Sequence, residues 1–430
     1  MLFVHRLKIA LFSLLMFGQS QICAGANWNN QDIKTTTNEF GEVYDYGKDF
    51  YYELPEKPKP KPNDATLKTY LKRYINEPKT FFGFKVAPSN NPSDFRKELR
   101  TEPYITKQLE KTALLSYLLY EDGKVVVDAL SPAERFGNQL SNPTPLPSRS
   151  VGKTFTSYLL GHAICSGFID GVDQVVDDWP QVANSLYHGQ TLLDLINMRA
   201  GDQKAAFSNR VYGPRERGVR HAPLNIHMYS IKGIQKEQRI YNYNDLVVNT
   251  VTNYIRFKVG YNYQAFVSDF LRNKIGIEHP VYFMAVDRYR VAEDGKPGVG
   301  AYISNFSASR YDYLRIAREM LNDWQSDNCH GQYLKRVYAE RVRKSRPDQR
   351  FMQDLREHNW PNHSYESYAG FFHTDLYSIS GERPVMAMDG YGGQMIVIDF
   401  EKGRIVVTNA IYNNFNWKRI VLGMIEDGKI

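Results

Sequence analysis

Apolar positions first fall into a clear pattern at Ala113. Ala113-Leu-Leu-Ser-Tyr-Leu-Leu-Tyr120 and Val125-Val-Val-Asp128 are short apolar runs on either side of Glu121-Asp122-Gly123-Lys124. Runs of this length joined through Asp-Gly predict a β-hairpin, because that dipeptide accepts the positive φ angles of a tight hairpin turn. The period then changes. Phe155, Tyr158, Leu159, Ala163 and Ile164 recur at helical spacing, so Val151 to Gly167 reads as a helix with Gly167 as its stop. A long helical and loop-rich stretch follows. Strands return from Gly393 to Asp399 and from Arg404 to Thr408, around the turn Glu401-Lys402-Gly403, and Trp417 to Met424 predicts a last helix. Strands at both ends of a helical insert imply an α+β fold whose two ends join one antiparallel sheet.

Upstream of the hairpin the pattern is weaker. One helix is predicted around Leu67–Ile75, and Asn27 to Asp64 shows no sustained period. Pro55-Glu-Lys-Pro-Lys-Pro-Lys-Pro62 reads as an extended, semi-rigid spacer. The resulting division is a leader over residues 1–26, an N-terminal extension over 27–111 containing the spacer 55–62, and a main domain over 112–430.

Composition narrows the classes. The 430 residues are 42% apolar and 13% aromatic, which excludes a chain disordered throughout. Arg6 and Lys8 precede the apolar run Ile9 to Phe17, and Ala24-Gly25-Ala26 offers small residues for cleavage. That order predicts a secretory leader and a periplasmic or secreted protein with no stable membrane anchor. The net charge of +7 comes without a dense Lys/Arg run, so a nucleic-acid partner is not expected. Without the leader only Cys165 and Cys329 remain. They are either a disulfide, worth in theory about 4–5 kcal/mol for so long a loop, or two separate buried thiols.

The string Ser148-Arg-Ser-Val-Gly-Lys-Thr154 carries the candidate chemistry. Ser150 and Lys153 stand three apart at a helix start, so both side chains can face one cleft. Backbone N–H groups and the positive helix end favour a developing oxyanion there. Burial and the same helix end favour a neutral lysine amine, which can accept the serine proton. Ser-x-x-Lys is the nucleophile motif of β-lactamases and penicillin-binding proteins. No His-Glu-x-x-His, clustered Cys/His spacing, Gly-x-Ser-x-Gly elbow or phosphate-binding glycine loop is present, so neither metal nor cofactor is expected.

Further strings carry a resemblance. Thr156 to Asp170 resembles the segment after the nucleophile in class C β-lactamase-like esterases and 6-aminohexanoate-dimer hydrolases. Asp177-Asp-Trp-Pro180, Thr191 to Gly201 and Ser307 to Ile316 continue it, so that it covers about Leu114 to Ile420. The resemblance implies a β-lactamase/transpeptidase-like fold, with an antiparallel sheet flanked by helices and an all-helical subdomain. It also implies a catalytic tyrosine in Tyr241-Asn-Tyr-Asn-Asp245, where two registers compete. Tyr243 is favoured over Tyr241 because it leaves Val248, Val251 and Tyr254 on an inward helix face. Neither register has the asparagine usual at the third position.

Ala387-Met-Asp-Gly-Tyr-Gly-Gly-Gln394 resembles the Lys-Thr-Gly or His-Thr-Gly strand of the same families. By that resemblance the N–H groups of Ser150 and Tyr391 form the oxyanion hole, and Asp245, Met388, Gly390 and Gly392 border the substrate cleft. Met388 stands where a β-lactamase or D,D-peptidase carries lysine, and methionine cannot donate to a substrate carboxylate. The expected activity is therefore hydrolysis of a small ester or amide through a Ser150 acyl-enzyme. A β-lactamase or D,D-peptidase, or a non-catalytic binding protein on the same fold, are the alternatives.

Overall fold

The computed structural model describes residues 35–37, 43–45, 63–80, 82–203, 206, 224, 228, 231–285, 302–344, 365–376 and 383–429. The expected leader and the spacer 55–62 lie outside these residues. Ahead of residue 63, Thr35–Thr37 pairs antiparallel with Val43–Asp45.

The first helix, α1, spans Asp64–Thr80. Asn63 starts it, accepting the Thr66 N–H at 2.9 Å. Leu67, Tyr70, Leu71 and Tyr74 then fall on one buried face, which is the amphipathic spacing that holds a helix on a core. Next come β1 (Phe82–Val86), β2 (Arg96–Lys97), and α2 (Pro103–Lys111). The predicted hairpin forms β3 (Leu114–Glu121) and β4 (Lys124–Leu130). Its turn residues Asp122 and Gly123 both have positive φ, 50° and 76°.

A two-residue strand, β5 (Leu146–Pro147), leads into α3 (Val151–Cys165). The middle of the chain supplies α4 (Asp245–Val259), β6 (Val281–Ala285) and β7 (Tyr302–Ala308). α5 (Arg310–Ser326) and α6 (Cys329–Ala339) follow. The last strands are β8 (Val342–Arg343), β9 (Tyr365–Ala369), β10 (Phe372–Leu376), β11 (Val385–Gly390), β12 (Gln394–Asp399) and β13 (Arg404–Ala410). A helical segment from Lys418 to Asp427 closes the chain.

The main sheet has nine strands in the order β8-β9-β10-β11-β12-β13-β3-β4-β2. β13 pairs with β3, so the two ends of the main domain meet in its centre, with Val407 opposite Leu118. Among the described residues, only β2, beside β4, runs parallel to its neighbour in this sheet. Helices cover both faces. One apolar cluster lies between the sheet and α1, α3, α4 and α5, and a second lies under α2 and the closing helical segment. This explains why β3 and β12 are buried at every position rather than alternating apolar with polar.

A second sheet, β1-β6-β7-β5, joins the segment before the hairpin to the helical middle. Residues 63–111 are thus built into both sheets and both clusters, more deeply than an extension wrapped on a finished domain. At the far end of α3, Cys165 is bonded to Cys329, with Cα atoms 5.8 Å apart. His162, one turn earlier, stacks on Phe270 at 4.1 Å and lies 3.1 Å from His330, which makes it a packed residue. Among the described residues, no helix is long and apolar enough to cross a membrane.

Candidate active site

The approach to Ser150 is held by backbone. β5 pairs with the end of β7. Ser148 N–H donates to the Phe306 carbonyl at 2.7 Å, and Ser148 Oγ accepts the Phe306 N–H at 3.0 Å. Arg149 takes a left-handed φ of 50°, a sharp reversal that costs a non-glycine residue about 1–2 kcal/mol. Ser150 follows as the first helical turn begins. α3 is buried from Val151 through Gly161, so Ser150 rides on a clamped element.

Lys153 is 4% exposed. Its Nζ donates to Ser150 Oγ at 3.2 Å, forms an ion pair with Asp245, and lies 5.3 Å from the centre of the Tyr243 ring. Tyr243 is 38% exposed. Tyr241 packs on Tyr368, ring centres 5.1 Å apart. Of the two tyrosines, Tyr243 is the one the fold sets beside Ser150.

The loop bearing Tyr243 is pinned from below. Asn244 caps α4 by accepting the Val247 N–H at 2.9 Å. Asp202 accepts from Asn242 at 2.8 Å, Asn244 at 3.0 Å and Tyr187 at 2.7 Å. Burial raises the Asp202 carboxyl above its ordinary range even against these hydrogen bonds. Asn242 and Asn244 therefore brace the loop, while Tyr243 and Asp245 face the serine and lysine.

The expected neutral lysine is corrected by Asp245. Burial pushes the Lys153 amine down, but the adjoining Asp245 carboxylate and Tyr243 outweigh it, and its pKa is raised. The ion pair thus favours the charged amine. Burial likewise raises the Tyr243 phenol, with Lys153 opposing it. Asp245, the third residue of Tyr243-Asn244-Asp245, is the carboxylate that favours the charged amine.

β11 reaches the nucleophile at Gly390. A Cβ there would lie 2.7 Å from the Ser148 carbonyl oxygen and 3.1 Å from Arg149 Cβ, so only glycine permits this approach. The turn 391–393 starts directly afterwards with Tyr391. Two of the expected cleft residues are placed differently. Met388 is 1% exposed within the main apolar cluster, so it is part of the core. Gly392 backs onto the Ile411 carbonyl, which a Cβ would meet at 2.8 Å. Its freedom serves the protein's own chain.

A second group of ionisable residues borders Tyr243, and no sequence motif announces it. His373 stacks on Tyr243 at 6.2 Å and on Tyr365 at 5.1 Å, and its Nδ1 lies 2.9 Å from Lys344 Nζ. Burial pushes His373 well below its usual range and lowers Lys344 to about 7. Burial also raises Asp389, the partly exposed residue before Gly390, to about 7, with Lys344 opposing. The one signal available in sequence was an aspartate inside an otherwise apolar strand. Among the described residues, no group of three or more His, Cys, Asp or Glu could hold a metal ion.

No family model matches the sequence, and no curated protein matches it by sequence. The fold does have counterparts among solved structures. A Bacillus anthracis protein described as a 6-aminohexanoate-dimer hydrolase aligns with a TM-score of 0.57 at 14% identity, covering 87% of this chain and 98% of that one. A Bacteroides dorei protein described as a β-lactamase aligns with a TM-score of 0.52 at 14% identity, covering 75% of this chain and 96% of that one. The chain has the α+β fold of the β-lactamase-related serine hydrolases. Identity this low speaks for the fold alone.

Proposed function

We propose that the protein is an exported serine hydrolase that cleaves a small ester or amide through an acyl-enzyme on Ser150. The observation that carries this reading is the Ser150 hydroxyl, 3.2 Å from Lys153 Nζ at the start of a buried helix, with the Tyr243 ring 5.3 Å from the same amine. The bonded Cys165–Cys329 pair supports an oxidising compartment.

The mechanism starts from an ammonium. The Asp245 side chain is 52% exposed while Lys153 is 5% exposed. A substrate covering Asp245 strips its water, which favours the neutral acid and amine over the ion pair. One proton passes from Lys153 to Asp245, and the freed amine takes the Ser150 proton as Oγ attacks the carbonyl carbon. The oxyanion lies between the N–H groups of Ser150 and Tyr391. Tyr243 relays the proton from Lys153 to the leaving group as the carbonyl reforms. Water, deprotonated along the same path, then releases the acid and restores Ser150. No cofactor takes part.

A non-catalytic binding protein is the second reading, favoured by the protonated Lys153. A lactamase or peptidase that acylates on penicillin is the third. The test is labelling by a fluorophosphonate, with Ser150→Ala as control and fluorescent penicillin as comparison. Ser150-dependent labelling without penicillin binding is expected. No labelling favours the binding protein, and stable penicillin acylation favours the peptidase.

A further inference from the structure

α1 reaches the nucleophile from a part of the chain that the resemblance leaves unexplained. Arg149, the residue before Ser150, donates from Nη1 to Glu77 Oε1 at 2.8 Å. Its guanidinium lies 4.8 Å from the centre of the Tyr74 ring. Side-chain exposure is 16% for Arg149 and 7% for Glu77, so the pair is largely out of water, where losing one partner strands the other. Arg149 is also the residue with the left-handed φ, a conformation kept only where the surroundings over-determine it.

The same helix touches the other side of the site. Tyr74 OH donates to the Ile411 carbonyl at 3.3 Å, the group on which Gly392 rests. Gly390 in turn abuts Ser148 and Arg149. One face of α1 therefore holds both the reversal that aims Ser150 and the backing of the turn after Tyr391. A bridge meant only to fasten the helix to the core had no need to end on the residue before the serine.

We infer that Glu77 is a positioning residue for the nucleophile: through Arg149 it fixes the reversal that presents the Ser150 hydroxyl and N–H. This rests on the hydrolase reading, and the experiment separates the two. The full chain is compared with Glu77→Gln, Glu77→Asp and Glu121→Gln. The last breaks a comparable pair, Arg404–Glu121, with side chains 16% and 12% exposed in the main sheet. Two quantities are read per folded molecule: the fluorophosphonate labelling rate, and hydrogen exchange in residues 148–152.

Glu77→Gln is expected to slow labelling by about tenfold or more and to speed exchange in 148–152. Glu77→Asp should restore part of both, and Glu121→Gln should lower the melting temperature while leaving both at wild-type values. Folded Glu77→Gln with wild-type labelling and exchange overturns the inference, as does a Glu121→Gln variant that behaves like Glu77→Gln. If Glu77→Gln does not fold, Glu77→Asp decides: slower labelling supports the inference and a wild-type rate overturns it. A wild-type protein that does not label fails the hydrolase reading, and the exchange comparison still decides the positioning.

Discussion

Two lysines flank Tyr243, and the fold treats them oppositely. Lys153 lies 5.3 Å from the Tyr243 ring, and Lys344 touches His373, which stacks on the same ring. Lys153 is buried and Lys344 half-buried, and loss of water alone would favour a neutral amine in each. Lys153 has a carboxylate in contact and its pKa is raised. Lys344 has an imidazole in contact, and burial lowers it to about 7 with Asp389 opposing. Burial pushes both amines down, and the carboxylate in contact with Lys153 reverses its shift. Under the proposed mechanism, Lys153 holds a proton that substrate binding must release.

That difference can be broken from either side. The largest effect is expected at Lys153 itself. Lys153→Ala should lower the fluorophosphonate labelling rate by roughly 10²–10⁴-fold. Lys153→Arg should fall as far, since a guanidinium keeps the charge and cannot take the serine proton. An arginine variant that retains most of the rate would mean that charge, not proton transfer, is the role of this position.

Asp245→Asn tests the held proton. Removing the carboxylate takes away what favours the charged amine, so Lys153 should lose its proton at lower pH. The acid limb of the pH–rate profile should move to lower pH, and the rate near neutrality should rise if the fold is kept. An unmoved limb would assign the titration to another group.

Asp389→Asn probes the other lysine's surroundings through stability. Burial raises the folded pKa of Asp389 from 3.8 to about 7. A carboxyl raised in the folded state adds stability below about 4 and loses it as pH climbs to about 7. The variant should therefore melt higher than the parent, by a few degrees, above pH 7, with the gain shrinking toward pH 4. Equal shifts at both pH values would place Asp389 in water.

The smallest change in rate belongs far from both lysines. Cys165→Ser with Cys329→Ser should cost about 2–4 kcal/mol of stability and leave the labelling rate per folded molecule near the parent value. A collapse of that rate in still-folded protein would show that the far end of α3 controls Ser150.

Much of this was legible in residue patterns. The β3–β4 hairpin, α3 and the β12–β13 pair carry local signals: Asp-Gly, a helical apolar stripe, and a turn between two apolar runs. The second sheet was not legible, because β1 and β6 pair across about 200 residues and neither alternates strongly. Ser150 and Lys153 could be proposed from spacing, and Tyr243 from the resemblance, its register set by the apolar period of α4. The charge of Lys153 could not, since it depends on an ion pair across the cleft. Met388 was misplaced because strand twist and register decide which side chain turns to the core. Glu77 and His373 lie in no motif, and each meets its partners only in the fold.

The most direct measurement is the mass of the Ser150 peptide after a slowly hydrolysed p-nitrophenyl ester is quenched in mid-turnover. The account predicts an acyl adduct on Ser150 that decays at the turnover rate and is absent from Ser150→Ala. Turnover by the wild type with Ser150 unmodified and the adduct on another residue would contradict it.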